Sequence, residues 1–265
     1  MNYIVDTHCH LDLIEKKGIN INEILQNCEQ SNVGVLQAIS TRISNLSEIL
    51  KYTEIKDYIY ASTGIHPCNV ADEKAVTHKQ IIELCKHPKI IGIGETGLDY
   101  FHDLEHVSLQ KSSFIEHIKA SQENNLPVII HSRNADDDMI NILKEEQQKK
   151  KFPALLHCFS SSEELALNSI ELGIYISISG IVTFNNAKEL QGIVKKIPLE
   201  RLLVETDSPY LAPTPFRGKT NQPSYTTHVV DYIAELKNVS RETIITKTTE
   251  NFFRIFKKAK KRERK

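Results

Sequence analysis

The sequence places six side chains of metal-ligand type near the ends of short apolar segments. They are His8, His10, Glu95, His131, His157 and Asp207. Imidazole nitrogens and carboxylate oxygens are groups by which proteins hold divalent cations. His8 and His10 are two residues apart, so on a strand they face the same side. From this pair alone, metal binding and an ordinary polar surface are equally good interpretations, and the other four positions favour metal binding.

Six ligands exceed the four of a tetrahedral zinc site and suit two cations that share a bridging group. Two cations about 4 Å apart repel each other and need an anionic bridge. Glu95 is the predicted bridge, because a parallel barrel would place it between the His8–His10 pair and His131. One cation would bind His8, His10, Glu95 and Asp207, and the other Glu95, His131 and His157. The predicted cofactors are two divalent cations per chain: Mg²⁺ or Mn²⁺, which suit a carboxylate bridge, or Zn²⁺, which suits imidazoles.

Such a site predicts hydrolysis. A water held between the cations would be the nucleophile, and Asp207 would accept its proton as the general base, while Glu95 joins the two cations. His66 is predicted to contact a phosphate, the alternative being a turn histidine before Pro67. Arg133 could bind a phosphate through two hydrogen bonds or form a loop salt bridge. Glu205 is expected to orient a ligand imidazole from behind.

The segments that must position these residues follow one rhythm. Eight β-branched runs recur every 20 to 35 residues or so, each followed by a polar, helix-like stretch. The runs begin near Tyr3, Val33, Tyr58, Ile90, Pro127, Pro153, Gly173 and Leu202. We predict strand ends at Glu95, His131, His157 and Asp207, and capping boxes at Thr77–Gln80 and Ser161–Glu164. The alternation predicts an α/β fold, a (β/α)₈ TIM-type barrel whose carboxyl strand ends share one active-site face; an open doubly wound sheet is the second choice.

Composition sets the outer limits. A chain of 265 residues, 40% hydrophobic and 25% charged, suits one barrel and can bury a large core. No apolar run approaches the roughly 20 residues of a membrane-spanning helix, and five cysteines without CxxC spacing indicate a cytoplasmic protein. The net charge is −1, but the last nine residues hold seven bases and one acid, so residues 1–256 carry about −7. We predict one hydrolase domain over residues 1–256 and a disordered basic tail over 257–265.

Six sequence motifs occur in the order seen in the TatD family. They are His8-Cys9-His10-Leu11-Asp12, Gly64-Ile65-His66-Pro67, Gly94-Glu95-Thr96-Gly97-Leu98-Asp99-Tyr100, His131-Ser132-Arg133, His157-Cys158-Phe159-Ser160 and Glu205-Thr206-Asp207-Ser208-Pro209. From about Val5 to Phe256, the chain resembles these metal-dependent deoxyribonucleases of the amidohydrolase-like barrels. The resemblance implies the barrel, a two-metal site with the six ligands above, and phosphodiester hydrolysis.

The implied substrate is DNA, single-stranded or at its ends, degraded exonucleolytically by a protein expected to be a monomer that does not bind membranes. The alternative is another amidohydrolase-like reaction on an ester or amide, for example removal of an amino acid from a mischarged tRNA. Many amide-cleaving relatives bridge their metals with a modified lysine on the fourth strand, where this chain has Glu95.

Overall fold

A computed structural model describes residues 3–262, and its centre is a parallel sheet of eight strands. The strands pair in the order of the chain, from β1 to β8. Their bounds are β1 Ile4–Cys9, β2 Val33–Ala38, β3 Ile59–Thr63, β4 Ile90–Asp99, β5 Val128–Arg133, β6 Ala154–Leu156, β7 Tyr175–Ile178 and β8 Leu202–Val204. This sequential order confirms the predicted (β/α)₈ barrel and excludes the doubly wound sheet, in which the strand order would reverse.

The barrel is brought together where the segment after β8 meets β1. Cys9 and Ser208 form a parallel bridge. The His10 amide donates to the Ser208 carbonyl at 2.8 Å, and the Asp207 amide donates to the His8 carbonyl at 2.9 Å. The first strand and the segment after the last strand therefore meet beside three of the predicted ligands.

Ten α-helices lie between and after the strands. Their bounds are α1 Leu11–Lys16, α2 Ile21–Gln30, α3 Leu46–Ile55, α4 His78–Leu84, α5 Val107–Asn124, α6 Asp136–Lys149, α7 Glu163–Glu171, α8 Lys188–Lys196, α9 Thr226–Lys237 and α10 Arg241–Ile255. None of them, among the described residues, is long and apolar enough to cross a bilayer.

The predicted capping boxes have different outcomes. Thr77 and Gln80 form the expected reciprocal pair at the start of α4. The second prediction is wrong by one residue, because Ser162 and not Ser161 caps α7, accepting from the Leu165 amide at 3.2 Å. Asp136 accepts hydrogen bonds from both the amide and the hydroxyl of Ser162. This contact with α6 fixes the residue at which α7 begins.

All four predicted strand ends differ from those of the structure. β4 continues four residues past Glu95 because residues as far as Asp99 pair with β5, and β5 continues two residues past His131. β6 and β8 are shorter, so His157 and Asp207 follow their strands directly or within three residues. All these positions still lie at the carboxyl side of the barrel, where parallel strands present their loops.

The described part of the basic tail lies against the opposite, amino-terminal end of the barrel. The Lys258 ammonium donates to the carbonyls of Cys85 and His87 at 2.8 and 2.9 Å. The Arg262 guanidinium stacks over the Tyr58 ring, 4.0 Å from its centroid. Residues 257–262 thus have defined contacts. Residues 263–265 lie outside the described residues, so for them the expected disorder stays a prediction.

Candidate metal centre

The carboxylate of Glu95 lies at the centre of a cluster of imidazoles. Oε2 faces the histidines of the β1 segment, and Oε1 faces a second group. The distances to Oε2 are 3.3 Å from His8 Nε2 and 3.9 Å from His10 Nε2, and those to Oε1 are 2.8 Å from His157 Nε2, 3.1 Å from His131 Nδ1 and 3.3 Å from His66 Nε2. The two oxygens of one carboxylate therefore divide the cluster into two groups.

Asp207 completes the first group. Its Oδ1 lies 3.4 Å from His10 Nε2 and 3.7 Å from His8 Nε2. Asp207 lies in the segment that meets β1, and its backbone is left-handed, with φ of 55°. The structure thus places all six predicted ligands in one cluster.

The side chains of this cluster are buried, and their charges shift each other's pKa values. Burial raises the pKa of Glu95, but the charges of His157, His66 and His8 outweigh burial and hold that pKa well below its usual range. For Asp207, burial again raises the pKa, and the hydrogen bond with His10 and the charge of His8 bring it below its usual range. Both carboxylates are therefore held in the ionised form that binds cations.

His8 is a buried residue of the cluster whose ring lacks hydrogen-bond partners. Neither of its ring nitrogens has a partner in hydrogen-bond geometry among the described residues, and its Nε2 lies 3.3 Å from Glu95 Oε2. Burying unpaired polar nitrogens costs on the order of 1–3 kcal/mol each, so native proteins rarely leave them so. A cation at Nε2, between the Glu95 and Asp207 carboxylates, would remove that cost at one nitrogen. The donor set of neutral imidazole and ionised carboxylate fits divalent metals.

Glu205 lies behind His157, as its expected orienting role requires. Its Oε1 is 3.3 Å from His157 Nδ1 and accepts from the Cys158 amide at 2.7 Å. Burial lowers the pKa of His157, but Glu95 and Glu205 outweigh burial and raise it well above its usual value. The ring is thereby fixed with Nε2 towards Glu95.

Asp99 has the corresponding position behind His131, and the sequence reasoning did not assign it. Its Oδ2 lies 3.0 Å from His131 Nε2, which leaves Nδ1 to face Glu95. The signal was available, because Asp99 lies four residues after Glu95 on one strand and so shares its face. Carboxylates that bind the outer nitrogen of a ligand histidine fix its tautomer and orientation.

Asp6 is a second residue that the sequence reasoning missed. It accepts from the amide and hydroxyl of Thr206 at 2.9 and 2.6 Å, and from the His8 amide at 3.3 Å. Burial raises the pKa of Asp6 to about 8. This carboxyl group ties β1 to the segment that carries Asp207, directly beneath the first group of ligands.

The two predicted substrate contacts lie at different depths of a cavity of about 610 Å³ that opens above the cluster. His66 is inside the cluster, and together with Glu95 and His131 it forms a group that could itself hold a metal ion. Its Nδ1 accepts from the Cys68 amide at 3.1 Å, so it also serves the turn after Pro67. Arg133 is at the mouth, with its guanidinium 4.5 Å above the centroid of the Phe101 ring. Contact of either residue with a phosphate stays a prediction.

Comparison with known proteins finds relatives that match nearly the whole chain. Residues 5–257 match the family described as TatD related DNase. An uncharacterized metal-dependent hydrolase of Buchnera aphidicola subsp. Baizongia pistaciae is 41% identical over 259 residues, and the uncharacterized metal-dependent hydrolase YcfH of Escherichia coli K12 is 40% identical over 256; both alignments cover 96% of each protein. The crystal structure of YJJV, a TatD homolog from Escherichia coli K12, superposes with a TM-score of 0.88 at 29% identity, covering 96% of this chain and 98% of that one.

Proposed function

The chain belongs to the TatD related DNase family of metal-dependent hydrolases, and from this premise we propose that it hydrolyses phosphodiester bonds of DNA with two divalent cations. The observation that carries the proposal is the division of the histidine cluster by the two oxygens of Glu95. A carboxylate that faces two ligand groups, one with each oxygen, is suited to bridge two cations. A single cation would leave one of these groups without a role.

In this proposal His8, His10, Asp207 and Glu95 would hold the first cation. His131, His157 and Glu95 would hold the second, with His66 beside them. Bound cations would supply Lewis acidity to the phosphate and make a water between them acidic enough to act at neutral pH. Glu205 and Asp99 keep the ligand rings turned towards these positions.

Asp207 is proposed to accept the proton of the attacking water. Its carboxylate lines the cavity, and its side chain is 14% exposed, whereas that of Glu95 is 4% exposed. The ionised form is favoured by the hydrogen bond with His10. A general base must be deprotonated and within reach of the water, and Asp207 meets both requirements from the protein side.

Arg133 is proposed to bind the phosphate. Among the described residues that line the cavity it is the only lysine or arginine. A guanidinium can give two parallel hydrogen bonds to phosphate oxygens. One such contact above an acidic body suits a strand end better than a long duplex, whose binding relies on many phosphate contacts. We therefore propose exonucleolytic cleavage.

The test is metal-dependent hydrolysis of end-labelled single-stranded and duplex DNA, with an aminoacyl-tRNA assayed beside them. Mg²⁺, Mn²⁺ and Zn²⁺ are supplied separately, and a chelator provides the zero point. Asp207→Asn is the matched variant, since it keeps the shape and removes the base. We expect shortening from an end that chelation abolishes and that Asp207→Asn reduces. If DNA stays intact with all three metals while the aminoacyl ester is cleaved, the second function replaces the first.

A further inference from the structure

An exposed aromatic ring lies beside two residues that line the cavity. Phe101 lies just past the end of β4 and is 57% exposed. The amides of Phe101 and His102 donate to Asp99 Oδ1 at 3.0 and 2.8 Å. The other oxygen of Asp99 is the one that faces His131. One buried carboxylate thus holds both the ring's backbone and a ligand of the metal centre.

The surroundings of the ring give it one covered face. The Arg133 guanidinium lies 4.5 Å from the ring centroid, and the His102 ring meets its edge at 4.8 Å with an interplanar angle of 86°. Arg133 and His102 both line the cavity. Phe101 is therefore next to the place where a phosphate bound by Arg133 would lie.

The charge of the protein limits what else could bind a polyanion there. Residues 1–256 carry about −7, and the described part of the basic tail is at the other end of the barrel. The length of β1 alone is about 20 Å, which is more than twice the screening length of about 8 Å at physiological salt. Apart from Arg133 and the two proposed cations, affinity for a nucleotide must therefore come from uncharged contacts.

We propose that Phe101 is a stacking platform for a nucleobase next to the cleaved bond, with Arg133 holding the phosphate beside it. This inference rests on the proposed function and adds the group that the substrate must present. Every base has a π-face, so stacking on an aromatic ring tolerates all four bases. Asp99 already holds the backbone that carries the ring, so only the freedom of the side chain itself is lost when a base stacks on it. Phe101 would act on binding and leave the hydrolytic step unchanged.

The test compares Phe101→Ala with Leu104→Ala, both in the metal-loaded protein. Leu104 is in the same connection and is 71% exposed, and it carries no aromatic ring, so its truncation removes exposed apolar surface and leaves the Phe101 ring under Arg133 in place. The substrates are an oligonucleotide and the same oligonucleotide with abasic nucleotides on both sides of the cleaved bond. We expect Phe101→Ala to raise KM about tenfold to a hundredfold on the intact substrate. Leu104→Ala should keep the native KM. On the abasic substrate, Phe101→Ala and the native protein should have the same KM.

Two further variants separate stacking from packing. Phe101→Tyr keeps a π-face and should keep KM near the native value, whereas Phe101→Leu keeps apolar bulk and should behave like Phe101→Ala. Equal KM for Phe101→Ala and the native protein on the intact substrate would overturn the platform while leaving the nuclease proposal in place. An equal loss on intact and abasic substrates would also overturn it, because the base would then be irrelevant. Should the native protein cleave no DNA, the nuclease proposal fails, and the platform fails with it.

Discussion

Glu95→Gln is the substitution that the structure predicts to be most damaging. The change keeps the size of the side chain and replaces one oxygen with an amide nitrogen, which cannot bind a cation. Glu95 lies 2.8–3.9 Å from five imidazole nitrogens, so either choice of amide orientation deprives one ligand group of its oxygen. The negative charge that offsets cation repulsion is lost as well. We expect at least one cation to bind poorly and kcat to fall about 10³-fold or more, since nucleophile and charge stabilisation depend on both.

The comparison for this loss is Arg133→Ala, which removes only a proposed phosphate contact. Such a loss costs roughly 1.5–3 kcal/mol, or about tenfold to a few hundredfold in kcat/KM. Glu146→Gln is the matched control, because Glu146 is equally buried but lies on α6, where it pairs with Lys149 at 2.8 Å. It should leave kcat and metal content unchanged.

The assay measures metal content by mass spectrometry after gel filtration, together with kcat on DNA. We expect less than two equivalents of metal in Glu95→Gln and two in both Glu146→Gln and Arg133→Ala. If Glu95→Gln kept two tightly bound cations and near-native turnover, the bridging role would belong to another residue. If it lost activity with both cations retained, charge at the site rather than occupancy would be the function of the carboxylate.

Three further perturbations follow from particular contacts. Asp99→Asn should weaken metal binding about 10- to 100-fold in a metal titration, because it removes the carboxylate that orients His131. His117→Gln should make stability less sensitive to acid. Burial lowers the pKa of His117 to about 4, and its Nε2 accepts a hydrogen bond from the Ile65 amide. The unfolded chain takes up a proton near pH 6.5 and the folded protein does not, so native stability falls as the pH drops from 6.5 towards 4. Between pH 7.5 and 5 this group should lower the free energy of unfolding, measured with urea, by about 2 kcal/mol. Deleting residues 257–265 should lower the free energy of unfolding by about 1–3 kcal/mol through the lost contacts of the tail and leave kcat unchanged.

Each of these has an outcome that would contradict it. Unaltered metal affinity in Asp99→Asn would mean that packing alone orients His131. A native-like slope of stability against pH in His117→Gln would assign the acid sensitivity to other groups. If truncation at residue 256 changed kcat on DNA and not stability, the tail would act on substrate in spite of its distance from the cavity.

The barrel could be predicted because its signal is periodic. Eight β-branched runs separated by helical segments leave few ways to bury every apolar face, and sequential parallel pairing is the simplest. Ligand positions followed from the fold, since carboxyl strand ends share one side. Strand lengths could not be predicted in the same way. Whether β4 stops at Glu95 or continues to Asp99 depends on its pairing with β5, which is a tertiary contact.

The continuation of β4 depends on a close approach that the sequence shows only as a glycine. Gly97 has φ of 140°, and a Cβ there would lie 2.0 Å from the His131 carbonyl oxygen. Only glycine permits this spacing of β4 and β5. It brings Asp99 level with Arg133 in the strand pairing and allows the Asp99 carboxylate to reach His131. A glycine in a strand indicates a bulge or a close approach, but not which neighbour is approached.

Asp6 shows a second limit of sequence reasoning, since its partner is 200 residues away. Apart from the shared Glu95, the ligands of the proposed first cation come from β1, from His10 directly after it and from the segment after β8, whereas those of the second come from β5 and from His157 after β6. The first ligand group therefore exists only when the barrel has closed. At this junction of β1 with the segment after β8, Asp6 accepts hydrogen bonds from the His8 amide and from Thr206, the residue before Asp207. Closing the barrel therefore also brings the first ligand group together, and the buried Asp6 carboxyl group ties the two sides of this junction to each other beneath those ligands.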